Sequence, residues 1–175
     1  MYGPPVDLSF KNLSTMTEAM AEIPRCGIRP LTLTSNGRYH SRAVRLSNNN
    51  ISDLTGISFL FGHFLSRPSL LGWLDLSFNK LERIDSVFCE MRELRVLYLH
   101  GNRIWNLSEV DKLGRLPYLH TITLHGNNIE TTKGYRSHVI AVLPELKAMD
   151  FSAVTKEERV LSKIKFTGVM RHARH

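Results

Sequence analysis

The chain repeats itself at a nearly fixed interval. Residues 97–104 read LYLHGNRI, and residues 122–129 read ITLHGNNI. Both belong to a longer template, L-x-x-L-x-L-x-x-N-x-L. It fits residues 41–51 (SRAVRLSNNNI), 71–81 (LGWLDLSFNKL), 94–104 (LRVLYLHGNRI) and 119–129 (LHTITLHGNNI). A degenerate copy without the Asn follows at 146–154 (LKAMDFSAV). The copies start 30, 23, 25 and 27 residues apart, and only Ser41 breaks an apolar slot in the first four. A unit this short cannot bury an apolar face alone, so neighbouring units must stack. The period therefore restricts the chain to a solenoid.

The template explains itself physically. In L-x-L the apolar residues alternate, which is the period of a short strand buried on one face. The Asn then turns the chain, and its amide can satisfy backbone groups that the bend would leave unpaired. Asn49, Asn79, Asn102 and Asn127 are expected to form a ladder inside the coil. After each ladder position the apolar spacing changes to about three, as in Ile104, Leu107, Val110, Leu113 and Leu116. Leu81, Ile84, Phe88, Met91 and Leu94 show the same change. Those stretches are expected to be helical or 3₁₀ and to line the convex side. The expected fold is α/β: a short parallel sheet on the concave side, helical segments behind it, and a helix closing the C-terminal end.

A solenoid exposes apolar edges at its two ends, so the ends need caps. Thr155 is a candidate helix N-cap, with Glu157 and Glu158 in the first turn. Val160, Leu161 and Ile164 are expected to lie against the last repeat, and residues 166–175 to protrude. Near the N-terminus, Asn36-Gly37 between two strand-like runs predicts a hairpin that shields the first repeat. Residues 1–14 read as an extended arm. The organisation is thus an arm and cap at 1–40, repeats at 41–154, and a capping helix with a basic tail at 155–175.

Charge separates these parts. Residues 1–45 carry six Lys/Arg against three Asp/Glu, residues 46–155 eleven of each, and residues 156–175 six against two. The excess of +7 therefore lies at the ends. Lys163, Lys165, Arg171 and Arg174 make the tail a candidate electrostatic arm for an acidic surface. Two cysteines, Cys26 and Cys89, are too few for a disulfide scaffold. MYGPPVDLSF does not resemble a secretory leader, and no apolar run approaches the roughly 20 residues of a membrane span. An intracellular protein without a membrane segment is expected.

Function is sought on the outward residues of the strands, the usual binding surface of such coils. The candidates are Arg45, Trp73, Asp75, Tyr98, His100, Thr123 and His125. Trp73 and Tyr98 have the character of interface anchors, although Trp73 can also serve simply to cover Ala43. The residue just past each ladder is Ser52, Glu82, Trp105 and Glu130 in turn, which marks Trp105 as a second contact on the edge. His100 and His125 should sit side by side on adjacent strands. A zinc site needs a third ligand, and the flanking Ser77 and Ser152 do not supply one. No metal or other cofactor is expected. P-loop, G-x-S-x-G and H-E-x-x-H motifs are absent from the sequence, so no catalytic residue is assigned.

The chain resembles intracellular leucine-rich-repeat proteins with an I-x-x-L-x-x-V/L-x-x-L-x-x-L-P-x-L convex segment. That class includes the phosphatase-1 regulatory subunit and axonemal dynein light chain 1. Tyr135-Arg136, Val139-Ile140, Leu143-Pro144, Leu146, Asp150, Val154-Thr155 and Glu158-Arg159 are similar to its C-terminal cap. Further stretches look like one cytoplasmic, non-enzymatic branch of the class: PP-x-D-x-SF at 4–10, G-x-RPL at 27–31, W-x-DLSFN at 73–79, KGYR at 133–136 and DFS-x-VTK at 150–156. Asn128 departs from the usual Pro of the cap, and the tail after Lys163 has no match. The resemblance implies an adaptor that is monomeric alone and takes a protein partner rather than a small-molecule substrate. A ciliary or flagellar axoneme is one implied setting, with axonemal or tubulin-associated proteins as partners. The alternative is a nucleic-acid-associated protein using its basic ends, as some spliceosomal leucine-rich-repeat proteins do. The neutral repeats and the lack of an aromatic–basic RNA motif count against it.

Overall fold

The computed structural model describes residues 1–172, with side chains through Thr167. Its sheet runs in sequence order. The strands are β1 (Val6–Asp7), β2 (Ala43–Arg45), β3 (Trp73–Asp75), β4 (Val96–Tyr98), β5 (Thr121–Thr123), β6 (Ala148–Met149) and β7 (Ser152–Ala153). β1 to β6 are parallel, and β7 turns back antiparallel on β6. The register joins equivalent template positions, so Val6, Val44, Leu74, Leu97, Ile122 and Met149 form one row. Every member of that row is buried.

The returning segments are of two types. α2 (Ile57–Phe64) buries Ile57, Leu60, Phe61 and Phe64, and α3 (Tyr135–Val142) buries Tyr135, Val139 and Ile140. Between them, Ser86–Glu90 and Leu107–Arg115 are 3₁₀, as the spacing near three predicts. Asp85 and Asn106 cap them by accepting the N–H two residues on.

The Asn ladder is present. Asn79, Asn102 and Asn127 accept through Oδ1 from the N–H groups of Ile51, Leu81 and Ile104 at 3.0–3.1 Å. Their Nδ2 groups donate to Leu46, Leu76 and Leu99 of the preceding unit at 2.9 Å. All four ladder residues are buried. In Asn79, Asn102 and Asn127 each side chain thereby ties its turn to the preceding one, and its Nδ2 also closes its own turn by donating to Leu76, Leu99 or Leu124.

The N-terminal end differs from expectation. Residues 1–14 are not an arm, because β1 is a full member of the sheet and Leu8, Leu13 and Met16 are buried. α1 (Met16–Met20) follows, opened by a capping box between Thr15 and Glu18. This is an additional repeat whose Asn comes one place late. Asn49 serves its turn instead, accepting from the N–H groups of Lys11 and Leu13 at 3.0 Å and donating to Leu8. Asp-Leu-Ser-Phe recurs at 7–10 and 75–78, which is the signal that reveals the unit. Ser41 fills its apolar slot by donating its hydroxyl to the Pro4 carbonyl at 2.7 Å. The hairpin at Asn36-Gly37 forms, with Leu33 opposite Tyr39. It lies along the end of α2 rather than over the first repeat, since Tyr39 pairs with Leu65 and stacks on Phe64.

The C-terminal end differs too. α4 (Lys156–His172) does not stop near residue 165, so the expected protruding segment is helical through His172. Val160, Leu161 and Ile164 do not face the last repeat; each is more than half exposed. α4 packs on α3 through polar contacts and the edge-on ring pair of His138 and Phe166. Arg136 Nε donates to Glu158 at 2.7 Å, and Arg159 donates to the carbonyls of Ile140, Leu143 and Leu146. The Ile140 and Leu143 carbonyls belong to the last turn and C-cap of α3, where a cation is favoured. Thr155 and Glu158 complete the expected cap: Glu158 N donates to Thr155 Oγ1, and Thr155 N donates to Glu158 Oε2.

Candidate interaction site

The open face of the sheet is built by alternation. Residues between the buried rows point outward, and the 4.8 Å strand repeat brings equivalent side chains into contact. The Trp73 and Tyr98 rings meet edge-on with centroids 5.6 Å apart. His100 and His125 stack at 4.7 Å with an interplanar angle of 7°. Phe151 packs against Tyr98, His100 and His125, each at 5.6 Å. Phe78 adds a ring 5.0 Å from His100. Six rings thus form one belt across β3 to β6.

Phe151 is the main departure from the template. Its place in the count is a core slot, yet it is 65% exposed. Asp150 and Phe151 both have left-handed backbone, with φ of 50° and 61°. That turn reverses the chain into β7 and swings the ring onto the open face. Asp150 holds the turn. Its Oδ1 accepts from the N–H groups of Leu124 and His125 at 2.7 and 3.0 Å, and its Oδ2 accepts from the Tyr135 hydroxyl at 2.8 Å. Burial, and then the bond to Asp150, push the Tyr135 phenol well above its usual range, so it stays a donor. The missing ladder Asn of the last copy was the sequence signal that the template had ended there.

Phe78 is the second residue the template did not single out. It lies in the column Phe10, Asn48, Phe78, Gly101 and Gly126, all with φ between 52° and 70°. Gly and Asn adopt this region readily, whereas Phe does so at a cost of about 1–2 kcal/mol. Gly101 is required here, because a Cβ would come within 2.5 Å of the Phe78 ring.

Two expected contact residues are not surface. Thr123 is fully buried and shares a 2.7 Å hydrogen bond with His100 Nδ1. Asp75 is also buried, its Oδ1 accepting from the amide and hydroxyl of Ser77. Asp75 instead positions Arg45, which bridges Asp7 and Asp75 at 3.5 Å each and places its guanidinium 5.3 Å from the Trp73 ring. His100 and Thr123 likewise fix each other. Burial first, and then the neighbouring His125, hold the His100 imidazole below its ordinary pKa.

Trp105 is 60% exposed at the edge. Its neighbours in the column, Ser52, Glu82 and Glu130, are exposed as well. Lys163 and Lys165 are exposed on α4, while the Arg171 side chain and Arg174 lie outside the described residues. Among the described residues, no three His, Cys, Asp or Glu are grouped as a metal site would require. Likewise, no helix is long and apolar enough to cross a membrane.

Comparison with known proteins agrees with this architecture. Residues 33–173 match the Leucine-rich repeat family. The chain belongs to the leucine-rich-repeat family. It is similar to leucine-rich repeat-containing protein 51 of Bos taurus, with 42% identity over 161 residues, covering 92% of this chain and 84% of that protein. The Rattus norvegicus protein of the same name is 43% identical over the same shares. U2 small nuclear ribonucleoprotein A' of Arabidopsis thaliana is 33% identical over 66% of this chain and 44% of its own length. Among solved structures, the Drosophila melanogaster SNF/U2A' complex contains a chain of the same fold. Its TM-score is 0.63 at 19% identity, covering 83% of this chain and 94% of that one. Leucine-rich-repeat proteins are typically interaction modules without catalysis. The family period explains the stacked strands, and the aromatic belt and the Asp150–Phe151 turn are built on that frame.

Proposed function

We propose that this leucine-rich-repeat chain is a non-enzymatic adaptor that docks another protein on its aromatic belt. The observation that carries this reading is the belt itself: connected rings on the open face, two of them, Phe78 and Phe151, on left-handed backbone that disfavours phenylalanine. Strained positions that bury little are explained by function more readily than by folding. Half-exposed aromatics also supply contact area at low entropy cost. The setting we propose is cytoplasmic, as a scaffold component that includes the ciliary or flagellar axoneme among its sites. Axonemal or tubulin-associated proteins are then the partners, and the chain alone is a monomer.

The test is capture from a lysate of ciliated cells, read by cross-linking and mass spectrometry. Trp73→Ala with Tyr98→Ala should weaken capture by more than about 2 kcal/mol while leaving the melting temperature nearly unchanged. Phe151→Gly should do the same, since glycine relieves the left-handed backbone as it removes the ring. Capture unaffected by all three substitutions would refute the belt as the docking site. One observation favours a second reading: the similarity to a protein named as a small nuclear ribonucleoprotein component. On that reading RNA and ribonucleoprotein subunits, rather than axonemal proteins, dominate the eluate.

A further inference from the structure

Residues 21–33 are irregular and leave large apolar side chains in solvent. Ile23, Ile28 and Leu33 are 80%, 105% and 57% exposed. The segment is nevertheless held, because Arg25 N donates to the Asp7 carbonyl on the free edge of β1 at 2.7 Å. Together with Pro4, Pro5 and Tyr39 it encloses a cleft of about 610 Å³ that reaches Arg45. Arg25 and Arg29 line this cleft. Among the described residues, neither has a carboxylate within ion-pair distance. The acid that lines it, Asp7, is already engaged by Ser9 and Arg45.

We propose that this cleft receives an acidic, apolar-anchored segment of the protein that docks on the aromatic belt. The inference rests on the docking reading above and adds the chemistry of the partner. Arg25 and Arg29 call for carboxylates, which a guanidinium binds with charge-assisted, bidentate hydrogen bonds. Ile23, Ile28 and Leu33 call for apolar side chains between those carboxylates. Arg45 makes the cleft continuous with the belt, since its guanidinium lies 5.3 Å from the Trp73 ring. A segment leaving the cleft past Arg45 therefore meets Trp73 next. The chain's own tail is unsuited to the cleft, because residues 163–175 carry four Lys/Arg and no acid. A second copy is disfavoured by the formal charge of +7 on each chain.

The probe is a fluorescein-labelled peptide, Glu-Leu-Glu-Phe-Glu-Leu-Glu, titrated with the full chain and followed by anisotropy. Saturable binding is expected, falling about tenfold in the Arg25→Glu/Arg29→Glu variant and weakening with salt. The counterpart peptide with Lys at every Glu should not bind. Both arginines are exposed, so the variant keeps the fold, which its melting curve checks. Equal affinity of wild type and variant, equal binding of the Lys peptide, or no saturable binding at millimolar protein would each overturn the cleft. None of these results touches the docking reading, whose own test uses Trp73, Tyr98 and Phe151.

Discussion

At the scale of single residues, the ladder and the belt obey different constraints. Asn102 satisfies the Leu81 N–H and the Leu76 and Leu99 carbonyls from one buried amide. No smaller side chain reaches all three. Asn102→Ala should therefore cost about 1–3 kcal/mol, and an unchanged thermal melt would contradict the buried ladder. Such a residue is legible in sequence because its spacing is its function. Phe151 was not legible in that way. Counting template positions assumes that the strand continues, and the left-handed turn at Asp150–Phe151 ends it. Thr123 departs from the alternation for a related reason: its position points it outward, but the neighbouring side chains bury it. The belt also has a pH signature. The folded His100 pKa lies below its ordinary value, so the folded protein binds fewer protons than the unfolded one. Its contribution is fully present above about pH 6.5 and fades as pH falls through the folded pKa. Melts compared at about pH 7.5 and 5.5 should show a loss that His100→Asn reduces; the same acid loss in both proteins would assign the effect elsewhere.

At the scale of elements, the two ends of the coil show what periodicity misses. β1 carries the pattern of its neighbours, but Asn12 stands one place late and Lys11 occupies the ladder slot. A template anchored on Asn overlooks it, although Asp7 binds Ser9 just as Asp75 binds Ser77. α4 was legible as a helix through its cap, yet its packing face was not. An apolar trio predicts hydrophobic docking, whereas the helix is held by Arg136, Glu158 and Arg159. The bond from Arg136, aided by the Thr155 amide, holds the Glu158 carboxyl down to about 2. A depressed carboxyl stabilises fully above its ordinary pKa, and that stabilisation is lost as pH falls toward the folded value. Amide exchange in α4, taken relative to the intrinsic rate at each pH, should therefore speed up on acidification before it does in β3 or β4. Arg159→Ala should raise it at neutral pH by the equivalent of about 1–2 kcal/mol. If α4 exchange in that variant matched wild type, the polar contacts would not be what docks the helix.

At the scale of the whole molecule, a coil of repeats is stabilised by nearest-neighbour contacts, so each end unit decides the fate of the unit beside it. The first unit was the one least visible in the sequence, and its removal tests the architecture directly. It contributes Val6, Leu8, Leu13 and Met16 to the core, each at most 3% exposed. Burying four such side chains is worth about 6–12 kcal/mol before the entropy of ordering the segment is subtracted. It also covers the edge of β2, where Leu8 N donates to the Arg45 carbonyl at 2.8 Å and Arg42 N donates to the Tyr2 carbonyl at 2.7 Å. An uncovered edge strand pairs readily with other chains. A chain lacking residues 1–20 should therefore melt lower and associate. A net loss of even about 3 kcal/mol lowers the melting temperature by roughly 6–12 °C for a chain of this size. Size-exclusion chromatography should show oligomers that the full chain does not form. Were residues 1–14 an extended arm, the same deletion would leave the melt and the elution volume unchanged, so calorimetry and chromatography on one truncated protein separate the two architectures.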